Sequence, residues 1–183
     1  MDFKKLPFKK SLRLLTLFLT SMLIATASAA VYYSMNMQVT VTISQATVIF
    51  EEGSDWPTGS EMGANSTYVS LSIKAYPNVT LTYEEPLNIS NTGSSARNVK
   101  LKHVSITPAS GDGVSNFTFI NFTLNGVDFD YTTTGNTWNT PSDMTYQLLS
   151  GNTEWRVKIE TRAAAGAIEG LTCTIVIAVD VQE

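Results

Sequence analysis

The feature that most constrains this chain is a strict alternation of apolar and polar residues over positions 31–43. Every odd position there is apolar, and six of the seven even positions from 32 to 44 are polar. Successive side chains of a strand point to opposite faces, so the pattern predicts one long strand with one buried face. At roughly 3.3 Å per residue it would reach about 40 Å, whereas most strands have about five or six residues. A small domain cannot cover such a strand alone. Its apolar positions are Val31, Tyr33, Met35, Met37, Val39, Val41 and Ile43.

The residues before this strand have the pattern of a secretory signal peptide. Five basic residues precede an apolar core at 14–24, and Ala27-Ser28-Ala29 fits the A-x-A cleavage pattern. Alternative cleavage sites end at Ala27 and Ala30. A signal anchor over residues 12–33 is the competing interpretation, but its five Ser and Thr residues weaken it as a spanning helix. We expect cleavage between Ala29 and Ala30, which would leave the long strand at a free N-terminus.

Cleavage would also change the charge of the chain. It would leave 154 residues with 7 basic and 15 acidic side chains, a net charge of −8. That balance argues against nucleic acid, whose phosphates need Lys and Arg, and provides no basic patch for anionic lipid. Cys173 is the only cysteine, so no intrachain disulfide can form. Its place on the apolar side of an alternating segment predicts a small buried residue.

The remaining chain predicts strands throughout, separated by turns and without βαβ alternation. Asn125-Gly126 suits a type I′ hairpin turn, and residues 84–86 are expected to form a charged turn or a feature that protects a strand edge. Loops are predicted at 51–65 and 132–142, and a helical turn at 163–168. The predicted strands are 46–50, 68–75, 79–83, 87–90, 99–107 (with a bulge), 117–124, 127–131, 144–149, 155–161 and 171–181.

These patterns predict an all-β fold, an antiparallel β-sandwich or jelly roll with an extended N-terminal donor strand. The expected organisation is a signal peptide at 1–29, the donor strand at 30–44 and one sandwich domain at 45–183. No internal repeat of fixed period and no second domain is evident.

Catalytic motifs are sparse. His103 is the only histidine, which excludes HExxH and any multi-histidine zinc site, and we expect a partly exposed strand residue there. No G-x-S-x-G motif or phosphate-binding loop occurs. We therefore predict neither an enzyme nor a cofactor. Two groups of carboxylates could bind a hard cation but are also explained as solvated surface: Glu51, Glu52 and Asp55, and Asp128 with Asp130.

Two kinds of residue could involve carbohydrate: asparagines that could be glycosylated and tryptophans that could stack on sugars. Five N-x-S/T sequons are candidate N-glycosylation sites, at Asn65, Asn78, Asn88, Asn116 and Asn121. Three tryptophans could stack on sugars. Trp56 and Trp138 are predicted in loops, whereas Trp155 alternates with core positions and is expected inside.

Three short stretches carry a resemblance to a known family. They are Ala-Ala-Val-Tyr-Tyr-Ser at 29–34, Leu-Asn-Ile-Ser-Asn-Thr-Gly at 87–93 and Arg-Asn-Val-Lys-Leu at 97–101. Together with the layout of strands, the chain resembles the TasA/camelysin family of secreted fibre proteins, and most closely its archaeal bundling pilins. The resemblance implies a jelly-roll subunit that polymerises by donor-strand complementation. It also implies fibres that bundle and support a biofilm matrix.

The leading expectation is therefore a secreted subunit of an extracellular filament or pilus on the cell surface, active in bundling, adhesion and biofilm. Its partners would be identical subunits in a head-to-tail homopolymer and neighbouring filaments, without nucleic acid and without a stable membrane span after cleavage. One alternative is a monomeric cell-surface or S-layer-associated sandwich that folds its own N-terminal strand back. Another is a secreted hydrolase or carbohydrate-binding module.

Overall fold

The computed structural model describes residues 8–27, 37–40, 45–108 and 110–182. The chain divides into two compact units, residues 1–43 and 44–183, which we describe separately. In the first unit, helix α1 spans Phe8–Ala27, and the side chains of Leu14 and Leu17 are 71 % and 73 % exposed. No helix among the described residues is long and apolar enough to cross a membrane. The predicted cleavage site at Ala29 and Ala30 lies outside the described residues.

Little of the predicted donor strand falls within the described residues. Residues 37–40 are described and belong to no strand, and the side chains of Met37 and Val39 are 86 % and 64 % exposed. The other five apolar positions of the predicted strand lie outside the described residues: Val31, Tyr33, Met35, Val41 and Ile43.

The second unit is an all-β antiparallel sandwich, as the sequence predicts. Its larger sheet has the order β1-β4-β10-β6-β7-β8, its smaller sheet the order β11-β5-β9, and β2 pairs with β3. All named strand pairs are antiparallel. The described strands are β1 (Val48–Glu52), β2 (Glu61–Met62), β3 (Val69–Ser70), β4 (Thr80–Asn91), β5 (Arg97–Thr107), β6 (Phe117–Leu124), β7 (Val127–Thr134), β8 (Thr137–Asn139), β9 (Gln147–Leu149), β10 (Thr153–Ala163) and β11 (Thr174–Gln182).

The core lies between the two sheets and is built from alternate positions of their strands. Leu124 and Ile159 from the larger sheet, and Val99 and Leu149 from the smaller, are each 0 % exposed. One polar contact also joins the sheets, since His103 Nδ1 on β5 lies 2.9 Å from the Tyr131 hydroxyl on β7. The alternation that predicts these strands is the same alternation that fills the core.

Two local predictions are confirmed. Asn125 and Gly126 have φ values of +50° and +78°, the two positive values that a type I′ turn between β6 and β7 requires. The predicted bulge in 99–107 is also present, because Ser105 pairs with Val176 whereas His103 pairs with Ile177. β5 therefore carries one residue more than β11 at this point.

Several predicted boundaries are wrong. The strand at 46–50 is β1 at Val48–Glu52, so Glu51 and Glu52 are strand residues and not loop residues. The loop at 132–142 contains the end of β7 and all of β8. Only Gln147–Leu149 of the strand at 144–149 and Val69–Ser70 of the strand at 68–75 are paired. The helical turn at 163–168 is the end of β10 followed by a tight turn in which Ala167 N donates to Ala164 O.

The predicted charged turn at 84–86 is a bulge inside one strand, β4. Tyr83 pairs with Ile159 and Leu87 with Val157, so three β4 residues, 84–86, lie opposite the single β10 residue Lys158. The Asp55 carboxylate accepts the amides of Glu84 and Glu85 at 2.8 and 3.3 Å. Gly53 packs against the Glu85 carbonyl so closely that a Cβ would lie 1.9 Å from its oxygen. Partners thirty residues away therefore hold the bulge, which explains why the two short predicted strands are continuous.

The turn from β4 into β5 is organised by the side chain of Asn91, which is 0 % exposed. Its amide nitrogen lies 2.9, 3.1 and 3.3 Å from the carbonyl oxygens of Ser95, Ser150 and Leu149. Its amide oxygen accepts the Gly93 amide at 3.1 Å. This one side chain thus satisfies backbone groups of two different turns, which buried backbone requires.

Candidate binding groove

Within the part of the chain that the structure describes, an apolar groove of about 770 Å³ lies between the two sheets. Its floor is made of buried core side chains, and its walls are aliphatic and aromatic side chains of both sheets. The charged residues among its lining are Lys74 and Glu169, and both are exposed. Floor residues include Leu87, Ile89, Leu101, Ile120, Val157 and Ile159, and wall residues include Phe50, Leu71, Ile73, Phe122, Ile175, Ile177 and Val179.

One wall of the groove is β11, the edge strand of the smaller sheet. Its inward side chains Ile175, Ile177 and Val179 are only partly buried, as is His103, the β5 partner of Ile177. Val99 and Leu101 on β5, for comparison, are 0 % and 4 % exposed. Among the described strands β11 pairs only with β5, so its other edge offers unpaired backbone groups. The side chains of β11 lack cover on the side where a further strand would lie.

The other wall is the extended segment 71–77. Its side chains alternate, with Leu71, Ile73 and Ala75 half-buried and the intervening residues exposed. Ser72 N donates to Ser60 Oγ at 2.9 Å, and Lys74 N donates to the Tyr83 hydroxyl at 3.1 Å.

Those two bonds use one side of the segment. The backbone groups of Leu71, Ile73 and Ala75, which alternate with them, have no hydrogen-bond partner within the part of the chain that the structure describes. The segment therefore has the alternation of a strand and a free edge, without a strand beside it. Such an edge can pair with an added strand.

Cys173 lies in the groove just ahead of β11. Its side chain is only partly buried, whereas the pattern predicts a buried residue, and burial raises the pKa of the thiol to about 11. Desolvation disfavours the thiolate, which is the reactive form.

Alkylation of this thiol should therefore be slow at neutral pH. In the 45–183 domain, the rate with iodoacetamide should rise about tenfold per pH unit from pH ~7 to ~10, since thiolate remains the minor form. Mass spectrometry of timed samples measures this, with glutathione as the matched free thiol. A plateau in the Cys173 rate below pH ~10, like that of the free thiol, would contradict the raised pKa.

His103 and Tyr131 form a structural contact between the sheets. Their rings meet edge to face with centroids 5.5 Å apart, and Tyr131 is 0 % exposed. Burial, with a smaller contribution from Cys173, raises the pKa of Tyr131 well above its usual range. Among the described residues the Tyr131 hydroxyl is the hydrogen-bond partner of His103, and no serine or carboxylate completes a triad with it.

The two predicted carboxylate groups do not converge on a cation site. Asp55 is engaged with the β4 bulge, and Asp128 accepts the Thr123 hydroxyl at 2.7 Å. Burial, followed by the charges of Asp128 and Glu160, raises the pKa of Asp130. Within the described ranges, no three His, Cys, Asp or Glu side chains are grouped so as to hold a metal ion.

The five sequons differ in their access to solvent. Asn65 and Asn78 are exposed in turns, and Asn121 is intermediate. Asn88 is 5 % exposed and its amide donates to Glu85, and Asn116 is 7 % exposed and its amide donates to Asp112 O. The folded domain therefore does not present Asn88 and Asn116 for glycosylation, and the sequons at Asn65 and Asn78 fit the prediction best.

The tryptophans do not form an exposed sugar platform. Trp138 is a β8 residue and not a loop residue, is 6 % exposed, and packs on Phe117 with ring centroids 5.9 Å apart. Trp56 and Trp155 are partly buried against the core.

Comparison with known proteins adds no relative, since no protein-family model matches the chain and no curated protein matches it significantly. The groove is also the site that sequence reasoning missed. Its only signal in the sequence is the alternation at 68–75, which predicts a strand that the structure leaves largely unpaired.

Proposed function

We propose that the protein is a subunit of an extracellular filament that polymerises by donor-strand complementation. Residues 31–43 of one copy would fill the apolar groove of the next copy. The observation that carries this proposal is the groove itself, where, among the described residues, β11 and the segment 71–77 each have backbone groups without a partner beside partly buried apolar side chains.

The donor pattern and the β11 wall of the groove both alternate. The residues that line this side of the groove run from Leu171 to Val179, roughly 26 Å if extended, and residues 31–43 would extend about 40 Å as a strand, so the donor is long enough to span it. Cys173, Ile175, Ile177 and Val179 line the groove, and all are odd positions of an alternating segment. A strand added to that edge with its odd side chains inward would direct all seven apolar side chains to the groove side of the strand.

The expected gain is large enough to hold subunits together. Burying seven apolar side chains, at about 1.5–3 kcal/mol each, is worth on the order of 10–20 kcal/mol before ordering costs. The hydrogen bonds along two free edges add specificity for an extended segment.

A peptide titration tests the groove directly. The 45–183 domain has its own core, and a synthetic peptide of residues 30–44 should bind it and raise its melting temperature. At a peptide concentration a hundred times the Kd, the stabilisation is about 2.7 kcal/mol. Differential scanning calorimetry measures the shift.

The matched control is the same peptide with Val39→Asp and Val41→Asp, which should cause no shift because the groove floor is apolar and Lys74, the cation of its lining, is exposed on the wall. Equal shifts with both peptides, or none with either, would overturn the proposal. A full-length mature chain that stays monomeric and also ignores the peptide would indicate the alternative, a strand folded back into its own groove.

Secretion, the surface location, bundling and the resemblance to the TasA/camelysin fibres and archaeal bundling pilins belong to the same proposal. The signal-peptide pattern of residues 1–29 and the acidic mature chain support it. Electron microscopy of secreted material tests it, because filaments should be visible and should be absent when residues 30–38 are deleted.

A further inference from the structure

The two ends of the sandwich are distinguishable, and the N-terminus of the domain lies at one of them. We call them the Asn91 end and the Ala163 end. β4 finishes at Asn91, and the β1 strand begins beside it, because Thr92 N donates to Thr47 O at 2.8 Å. β10 finishes at Ala163, at the opposite end of its antiparallel pairing with β4.

The groove runs between these ends, and its two walls run in opposite directions. β5 begins next to Asn91 and pairs antiparallel with β11, so β11 runs from the Ala163 end to the Asn91 end. The segment 71–77 runs the other way, since Pro77 forms a parallel bridge with Ala163 on β10. A donated strand is therefore antiparallel to one wall and parallel to the other.

The direction of the donated strand decides what the subunits build. Only residues 44–46 separate Ile43 from Thr47, a reach of at most about 14 Å, so the donor's domain must sit where its strand leaves the groove. If Ile43 leaves at the Asn91 end, the Asn91 ends of two copies face each other. That contact is reciprocal and closes as a dimer. If Ile43 leaves at the Ala163 end, unlike ends meet, and the contact repeats as an open filament.

The Ala163 end also carries an apolar rim around the mouth of the groove. Tyr76, Ile168 and Leu171 line the groove there and are 49 %, 66 % and 44 % exposed. The rim is held in place by Asn116, whose amide oxygen accepts Ile168 N at 2.6 Å and whose carbonyl accepts Ala164 N at 3.0 Å. This is a formed surface at the place where a filament would put the next domain.

We infer that the donated strand lies antiparallel to β11, and that the Asn91 end of the donor's domain docks on the rim formed by Tyr76, Ile168 and Leu171. This inference depends on the proposed function and adds the polarity and the second contact surface of the filament.

The native Cys173 provides the test, since it lies at the Ala163 end of the groove. Single cysteines are placed at each of the seven odd positions 31–43 of the full-length protein, and assembled material is oxidised with copper phenanthroline. Cross-strand neighbours are close enough for a disulfide. We expect a ladder of linked multimers on non-reducing gels from Val41→Cys or Ile43→Cys, and its loss when Cys173→Ser is added.

The other outcomes separate the inference from the proposed function. A ladder from Val31→Cys or Tyr33→Cys would overturn the polarity while supporting strand donation. Filaments without a ladder from any position would also overturn the inference. Monomers with an internal disulfide, or disulfide-linked closed dimers, found in the absence of filaments would overturn the proposed function as well.

A separate substitution tests the contact at the rim. Ile168→Asp should reduce the filament yield at least tenfold. Val104→Asp is the control, because Val104 is 55 % exposed but lies on β5, away from the groove lining. Equal yields from the two variants would overturn the rim contact.

Discussion

A chain carrying both Val39→Asp and Val41→Asp should be secreted and folded, yet form no filaments. In the proposed assembly these side chains enter the groove of the neighbour, where exposed Lys74 and Glu169 are the charged lining residues and the floor is apolar. Burying an unpaired carboxylate costs several kcal/mol, and two such charges offset most of the expected gain. Negative-stain electron microscopy of secreted material measures filament yield, and circular dichroism measures folding.

The matched control places the same charges on the other face of the strand. Gln38→Asp with Thr40→Asp adds two carboxylates within the same segment, but on even positions that face away from the groove. That chain should still form filaments. If both variants assemble equally, the alternation has no role in assembly. If the odd-position variant instead unfolds its own domain, the strand belongs to its own core.

Asn91→Ala should destabilise the domain by about 3 kcal/mol. The substitution leaves the Ser95, Ser150 and Leu149 carbonyls without their shared donor and the Gly93 amide without its acceptor, and each unsatisfied buried group costs about 1–3 kcal/mol. Urea unfolding of the 45–183 domain measures the change, with the denaturant dependence expected to stay constant.

Asn139→Ala is the comparison for this prediction. Asn139 also donates to two side chains, on Thr132 and Thr134, but it is exposed, so its loss should cost within about 0.5 kcal/mol. Asn91→Asp adds a pH test. The surrounding carbonyls would raise the pKa of the new carboxyl in the folded state, so the destabilisation should grow as the pH rises above about 4. Equal stabilities of the Asn91 and Asn139 variants would contradict the role given to Asn91.

The parts of the fold that are determined by neighbouring residues can be predicted from the sequence. The Asn125-Gly126 turn is predicted because its geometry needs positive φ at both positions, and neighbouring residues decide it. β11 is predicted because its alternation is the direct signature of one buried face. The phase slip in 99–107 likewise predicts the β5 bulge.

Other elements depend on residues that are distant in sequence. The 84–86 bulge keeps β4 continuous because Gly53 and Asp55 support it, and no local pattern shows that support. Trp138 is predicted in a loop because its flanking Thr, Asn and Gly residues have turn composition. Pairing with β7 and packing on Phe117 place it in a strand.

The sequence predicts the donor strand of the candidate site and does not predict the acceptor groove. The alternation at 31–43 indicates that a face must be covered, and it suggests the donor. The acceptor could not be read from the sequence, because its lining comes from strands spread over residues 50–179 and its openness depends on which strand edge remains unpaired. The segment 71–77 illustrates this, because its residues alternate like those of a strand, yet it is not paired with a neighbouring strand among the described residues.

The attachment of β1 has a mechanical consequence for the proposed filament. A pull on the donated strand reaches its own domain through Thr47 and loads β1 along its axis. β1 pairs with β4 over five residues, from Val48 with Asn91 to Glu52 with Leu87, so the force shears these pairs together and does not peel them one by one. Force would therefore enter each subunit by shearing the β1–β4 pairs, a geometry that resists force better than peeling. Tension would pass from domain to domain along a continuous β structure.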